Sequence, residues 1–187
     1  AFLDSLSPDA AAMMEFDQKV SPEVIRRFEL FINMHPADLP RYRGGAPMQY
    51  QILDGIPLVV TVHRVSPEFD AGDYIAKSAP LDITGLTMDN VNQLAAREGA
   101  KLLEKVLLDW AKGCLQSNPQ KGTPSLALEK ELPARLEIHW NQDSGEAIRA
   151  KVLAGNKWFR PALEGAPVME AWFIPSPVSG LPPGKKV

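Results

Sequence analysis

One short segment, residues 31–35, constrains the fold of this chain more than any other. It begins with Phe-Ile, which favours a strand, and a polar loop with two prolines follows it directly. Because successive side chains on a strand point to opposite faces, Asn33 and His35 project together while Met34 turns toward the core. The segment therefore predicts an amide and an imidazole side by side at the end of a buried strand.

Helix and strand signals alternate around that segment, which predicts an α/β fold. Proline-led starts predict helices over residues 21–29 and 46–55. Runs of β-branched residues predict strands over residues 58–65 and 74–79. Residues 10–14 have the composition of a helix by propensity alone.

A longer helix is predicted between Thr87 and Gly113, because apolar residues recur there at helical spacing. We interpret this stripe, which includes Leu107, as core packing. Later in the chain, Ser144 should cap a helix over residues 146–153, and residues 158–174 leave room for two strands at most. Residues 118–124 have the composition of a linker, and residues 175–187 that of an extended tail.

Composition excludes some classes of protein. A net charge of −3 over 187 residues does not favour a surface that binds nucleic acid everywhere. The single cysteine, Cys114, cannot form an internal disulfide, and we predict no chemical role for it. No run of eighteen apolar residues occurs, so we expect no membrane span. The chain starts at Ala1 rather than Met, which suggests a removed leader or a trimmed longer chain.

Two separated motifs resemble those of a known family. Residues 33–44 read Asn-Met-His-Pro-Ala-Asp-Leu-Pro-Arg-Tyr-Arg-Gly, residues 45–49 read Gly-Ala-Pro-Met-Gln, and residues 69–73 read Phe-Asp-Ala-Gly-Asp. In this order and spacing they resemble the folate-dependent formyltransferases, most closely those that act on methionyl-tRNA. The likeness runs from about residue 10 to about residue 165.

The resemblance implies a partial formyltransferase domain, Rossmann-like, with a short C-terminal extension and a rudimentary β segment. Residues 1–117 would form the C-terminal part of the catalytic domain, residues 118–157 a linker and connecting helix, and residues 158–187 a remnant of an OB-like domain with its tail. The resemblance also implies that residues 10–14 form a buried strand, against their propensity.

Three residues correspond to the catalytic set of the family: Asn33, His35 and Asp70. By resemblance, Asn33 would donate to the oxyanion of formyl transfer, His35 would donate to it or shuttle a proton, and Asp70 would raise the basicity of His35. The folate-contacting loop corresponds to Ala37, Asp38, Leu39 and Pro40, and the formyl donor would be 10-formyltetrahydrofolate. At positions 37 and 38 the family has serine and leucine.

Other polar residues are interpreted more simply. Arg41 and Arg43 lie beside the start of the helix over residues 46–55, a combination suited to an anion or RNA. The alternative is that they are solvated or pair with Asp38 and Glu68. We predict no metal, and no role for the two remaining histidines, His63 and His139.

The function implied is formylation of initiator Met-tRNA. A second interpretation is an inactive homologue that serves as a structural or assembly factor of the mitochondrial ribosome, with ribosomal RNA and proteins as partners. A third is a formyltransferase acting on a sugar amine or on glycinamide ribonucleotide. A mitochondrial location is expected from the missing initiator methionine and the form of the motif.

Overall fold

The computed structural model describes residues 8–16 and 18–168 of the chain. Its centre is a four-stranded sheet in the order β1-β2-β3-β4. The strands are β1 Ala10–Met14, β2 Leu30–His35, β3 Thr61–Arg64 and β4 Tyr74–Lys77. Strands β1 and β2 run parallel, and the other two pairs are antiparallel. The α/β class is therefore confirmed.

Strand β1 shows tertiary structure overriding local propensity. Residues Ala10 to Met14 pair in parallel with β2, Ala10 opposite Leu30 and Met14 opposite Met34. The strand implied by the resemblance is thus confirmed, but its expected burial is wrong, since none of its five residues is buried. Among the described residues β1 pairs with β2 only, so it forms one edge of this sheet. Asp17, three positions after the end of β1 in the sequence, lies outside the described residues.

The first helix is shorter than predicted. Helix α1 covers Pro22–Ile25, with Ser21 as its cap, and the predicted end at Glu29 is wrong. The backbone N–H groups of Glu29 and Leu30 both donate to the carbonyl of Asp9, at 2.9 and 3.2 Å. Because these donors begin the junction with β1, they cannot continue the helix.

Two further helices agree with prediction. Helix α2 is Pro47–Asp54 and ends at Gly55, whose φ of 63° is left-handed. Helix α3 is Met88–Ala111, capped by Thr87. One face of α3 packs on the sheet, which leaves Leu107 on another face with 38% of its surface exposed. The assignment of Leu107 to the core was wrong for that reason.

Strands β3 and β4 are shorter than the predicted residues 58–65 and 74–79.

The second half of the chain packs on the same core. A 3₁₀ turn, Glu129–Glu131, leads into α4, Leu132–Leu136, and α5 covers Gly145–Ala154 with Ser144 as its cap, as predicted. Strands β5 Glu137–Ile138, β6 Ala162–Leu163 and β7 Ala166–Pro167 form a small sheet. The side chains of Leu132, Leu136 and Ala154 are fully buried in one cluster with those of the main sheet.

The predicted division at residues 118 and 158 stays a prediction, since a shared core neither requires nor forbids it. Positions 169–187 lie outside the described part of the chain, and with them the predicted tail. None of the helices within residues 8–16 and 18–168 has both the length and the apolar composition needed to cross a membrane.

Candidate active site

Strand β2 places Asn33 and His35 on one face, as its alternation predicts. Both side chains are almost fully buried, 8% and 4% exposed. Met34 points the other way and packs on α3, where a Cβ on Gly99 would lie 2.8 Å from the Met34 Cε atom. The amide and the imidazole therefore share a protected site on the side of the sheet away from α3.

The turn between β3 and β4 brings Asp70 to the same place. The Asp70 Oδ1 atom accepts a hydrogen bond from Asn33 Nδ2 at 3.3 Å, and Oδ2 lies 3.6 Å from His35 Nδ1. The Gly44 N–H group donates to Oδ2 at 2.9 Å. The structure thus unites the three predicted catalytic residues, although they come from separate segments.

Gly72 explains the Asp-x-Gly spacing of this turn. A Cβ atom at position 72 would lie 1.9 Å from the backbone oxygen of Arg64. No side chain fits in that gap, and the contact is with backbone, which cannot move aside as a side chain can. Glycine at this position therefore lets the turn close tightly enough to return Asp70 to the site.

His63 joins the cluster, and the prediction that it has no role overlooked this. It lies opposite Asn33 in the β2–β3 pairing and is 2% exposed. Its Nε2 atom is 3.2 Å from Asn33 Nδ2 and 3.4 Å from Asp70 Oδ1. The Nδ1 atom is 2.9 Å from the carbonyl of Arg64, so Nδ1 carries the hydrogen. Only the pairing register of the two strands could have revealed this neighbour.

The charge of Asp70 is well stabilised. Burial alone would raise the pKa of this carboxyl. The contact with His63, the nearby His35 and the hydrogen bond from the Gly44 N–H group outweigh burial and lower the pKa to about 2. Asp70 is therefore ionised at neutral pH.

His35 is arranged as a neutral base. Burial lowers the pKa of the imidazole below its ordinary value, while the Asp70 carboxylate acts in the opposite direction with less effect. Its Nε2 atom donates to the carbonyl of Tyr42 at 2.8 Å, since that oxygen can only accept. In the neutral ring the lone pair is then on Nδ1, the atom nearest Asp70. A proton taken up at Nδ1 would be stabilised by that carboxylate.

The Asn33 amide has its donors engaged and its acceptor free. Nδ2 faces two acceptors, His63 Nε2 and Asp70 Oδ1. The Oδ1 atom is buried and has no hydrogen-bond partner. Donation to an oxyanion therefore requires one of these two hydrogen bonds to be exchanged, while Oδ1 can accept a donor from a bound molecule as it stands.

The loop that corresponds to the folate loop accepts hydrogen bonds from side chains of strand β3 and helix α2. Thr61 Oγ1 donates to the carbonyl of Ala37 at 2.6 Å, and Gln51 Nε2 donates to that of Pro36 at 2.7 Å. Of the four residues predicted to contact the cofactor, Ala37, Leu39 and Pro40 are buried, and the Asp38 side chain is 49% exposed. Lys77 Nζ lies 2.6 Å from the Asp38 carboxylate.

The two arginines differ in their surroundings. Arg41 is exposed, donates to the Tyr42 hydroxyl at 3.0 Å and stacks on that ring. The Arg43 side chain is 13% exposed and lies 3.8 Å from Glu68, one of the two acids named as alternative partners. The other, Asp38, pairs with Lys77 instead. Arg41 is therefore the more accessible of the two for an anion.

The predicted linker packs against the site loops. Residues 118–127, which we call the strap, exchange backbone hydrogen bonds with Tyr74 through Asn118 and with Arg43 through Ser125 and Ala127. Gln120 Nε2 donates to the carbonyls of Asp70 and Gly72 at 2.8 and 2.7 Å. The composition of residues 118–124 indicated a linker, and these residues form no helix or strand, but the composition gave no sign of these contacts.

Within the described part of the chain, no group of three or more His, Cys, Asp or Glu side chains is arranged as a metal site. The expectation of a site without metal stays a prediction. Cys114 is exposed after the end of α3, and its Sγ atom contacts the carbonyl of Asp109.

Two solved structures with a similar fold were determined with a folate present. HypX from Aquifex aeolicus, solved in complex with tetrahydrofolic acid, is 20% identical and superposes with a TM-score of 0.69, covering 86% of this chain and 28% of that one. WlaRD, a sugar 3N-formyl transferase solved in the presence of 5-N-formyl-THF, is also 20% identical, with a TM-score of 0.71 over 89% of this chain and 63% of that one. At these identities the likeness establishes the fold.

Sequence relatives establish the family. The methionyl-tRNA formyltransferase of Heliobacterium modesticaldum is 30% identical over 162 residues, 83% of this chain and 50% of the relative. That of Streptococcus equi subsp. equi is 32% identical over 163 residues, 82% and 50% of the two chains. The chain thus spans about half the length of these curated relatives. The family model described as formyl transferase matches residues 1–107, more than half of the sequence, and the chain belongs to that family.

Proposed function

We propose that this chain transfers a formyl group from 10-formyltetrahydrofolate to the amino group of initiator Met-tRNA. The observation that carries the proposal is the buried cluster of Asn33, His35 and Asp70, assembled from two separate segments of a formyl transferase chain. The acceptor is inferred from the relatives quoted above, which are methionyl-tRNA formyltransferases.

The donor supplies the formyl group, and the chain offers a fitting place for it. The buried Asn33 Oδ1 atom lacks a partner and faces no protein donor. The backbone of residues 37–40 would hold the donor beside it. Asp38 would repel the glutamate end of a folate, but Lys77 compensates its charge. The substitutions at positions 37 and 38 are therefore compatible with binding of a folate.

Each of the three side chains has its own role in the transfer to the acceptor amine. As the acceptor amine bonds to the formyl carbon, neutral His35 would accept a proton from the amine at Nδ1, and Asp70 would stabilise the imidazolium that results. His35 would then return this proton to the tetrahydrofolate nitrogen as the bond between that nitrogen and the formyl carbon breaks. The Asn33 amide donates to the formyl oxygen as negative charge develops there, after exchanging one of its present hydrogen bonds. Arg41, exposed on the same loop, would contact RNA phosphate.

The test combines binding and turnover. The chain is titrated with a non-reactive formyltetrahydrofolate analogue by calorimetry, and formylation of charged initiator tRNA is assayed. Asp70→Asn, which keeps the shape of the side chain but not its charge, serves as the control. We expect binding by both proteins and turnover by the unsubstituted chain only. Binding without turnover of Met-tRNA would redirect the search to an amino sugar or glycinamide ribonucleotide as acceptor.

The alternative is an inactive homologue that acts as a structural or assembly factor of the mitochondrial ribosome. It is favoured by the altered folate loop, where Ala37 and Asp38 replace serine and leucine. Absence of both binding and turnover, together with co-purification with ribosomal RNA, would support it. The quoted relatives are bacterial, and the mitochondrial location stays a proposal, testable by fractionation of the source cells.

A further inference from the structure

We propose that Gln120 of the strap is a positioning residue that holds Asp70 in its working orientation. The inference rests on the proposed function, since it assigns Gln120 a part in the same reaction. Gln120 touches neither reactant and acts through the main chain of the Asp70 turn. No motif of the sequence marks it, because its partners are backbone carbonyls about fifty positions away.

Both the nitrogen and the oxygen of the Gln120 side-chain amide form hydrogen bonds. Its Nε2 atom donates to the carbonyls of Asp70 and Gly72 at 2.8 and 2.7 Å. Its Oε1 atom accepts from the Arg43 guanidinium at 2.7 Å. Both amide hydrogens and the amide oxygen therefore have partners, and the residue bridges two loops of the site.

The Asp70 backbone needs such support. Its φ is 51°, a left-handed conformation that costs a residue other than glycine free energy. From inside the site, the Gly44 N–H group and the Asn33 amide hold the carboxylate. From outside, Gln120 holds the peptide groups that follow Asp70 and Gly72. Without Gln120 the turn can relax, and the carboxylate moves away from His35.

The strap is attached to the site loops on both sides of Gln120. Asn118 and Tyr74 exchange two backbone hydrogen bonds at the strap's beginning, and the Ser125 hydroxyl accepts from the Tyr42 N–H group near its end. Gln120 lies between these two attachments. The orientation of Asp70 thus depends on how the strap is seated on the loops, as well as on strands β2 and β3.

The test compares Gln120→Ala and Gln120→Met with Gln116→Ala. Methionine keeps the length of the side chain but removes its hydrogen bonds, and Gln116 is an exposed glutamine on the same connection. We measure kcat and KM for formyl transfer, and the titration of the Asp70 carboxyl by NMR. For both Gln120 variants we expect kcat to fall about tenfold or more with KM within about twofold. We also expect the Asp70 pKa to rise from about 2 toward its ordinary 3.8.

Gln116→Ala should leave all three quantities unchanged. If the Gln120 variants behave like Gln116→Ala, the proposal is overturned. If the unsubstituted chain shows no formyl transfer, the proposed function fails, and the Asp70 titration alone then decides whether Gln120 positions the carboxyl. Should Gln120→Ala not fold, Gln120→Met supplies the same measurements.

Discussion

His35 couples the stability of the chain to pH. Burial lowers its pKa in the folded protein below the ordinary 6.5, so the unfolded chain binds the proton more readily. The stabilisation is present above about pH 6.5 and is lost as the pH falls below that value. We predict that His35→Gln flattens the decrease in the free energy of unfolding between pH 7 and pH 5, measured by urea denaturation. Equal slopes for His35→Gln and the unsubstituted chain would show that burial does not lower the pKa of His35.

Asn33 is expected to act mainly on turnover. Asn33→Ala removes the amide that would donate to the formyl oxygen, and loss of one such donor lowers kcat by about a hundredfold or more. Steady-state kinetics with charged initiator tRNA measure the effect. Asn92→Ala, at an exposed asparagine of α3, should have no effect. Equal kcat values for the two variants would show that Asn33 has been assigned the wrong role.

Single residues also show how far a sequence can predict a site. Asn33, His35 and Asp70 are recognisable because a local motif and a turn carry them. His63 contacts Asp70 only through the register of two strands, and Gln120 only through the path of a segment without regular structure. Such contacts depend on how distant parts of the chain pack together, which local spacing does not encode.

Among the elements, the turn between β3 and β4 leaves no room for an added side chain at position 72. Gly72→Ala would place a methyl group against the Arg64 carbonyl, and we predict a loss of about 2–4 kcal/mol in the free energy of unfolding. Gly145→Ala, where nothing lies within 4 Å, should be neutral or slightly stabilising. Chemical denaturation of the two variants makes the comparison. A loss in the free energy of unfolding smaller than predicted, together with a reduced kcat, would mean that the turn shifts to accommodate the methyl group.

Elements that local signals define well were predicted well. Capping and glycine termination located α2, α3 and α5 within a few residues. Strand β1 is composed of alanine and methionine, and only its pairing with β2 makes it a strand. Helix α1 does not reach Glu29, because the N–H groups of Glu29 and Leu30 donate to the Asp9 carbonyl. Both cases depend on the same junction of β1 and β2, which no single segment specifies.

For the whole molecule, the common core predicts cooperative unfolding. Buried Leu132, Leu136 and Ala154 belong to one cluster with β2 and α3. We therefore expect a single transition in guanidinium, with equal midpoints for variants that retain either Trp110 or Trp140 as the sole tryptophan. Trp110 reports on α3 and Trp140 on the segment after β5. Separate midpoints would indicate that the predicted linker and helix, residues 118–157, unfold independently.

Cys114 stands between the end of α3 and the strap, and it is the only cysteine of the sequence. Its exposed thiol can carry a maleimide dye without any mutation of the chain. The label would sit four residues before Asn118, where the strap first attaches to Tyr74. A dye on Cys114 would therefore report on the strap, and detachment of the strap from the site loops and its return could be followed in real time.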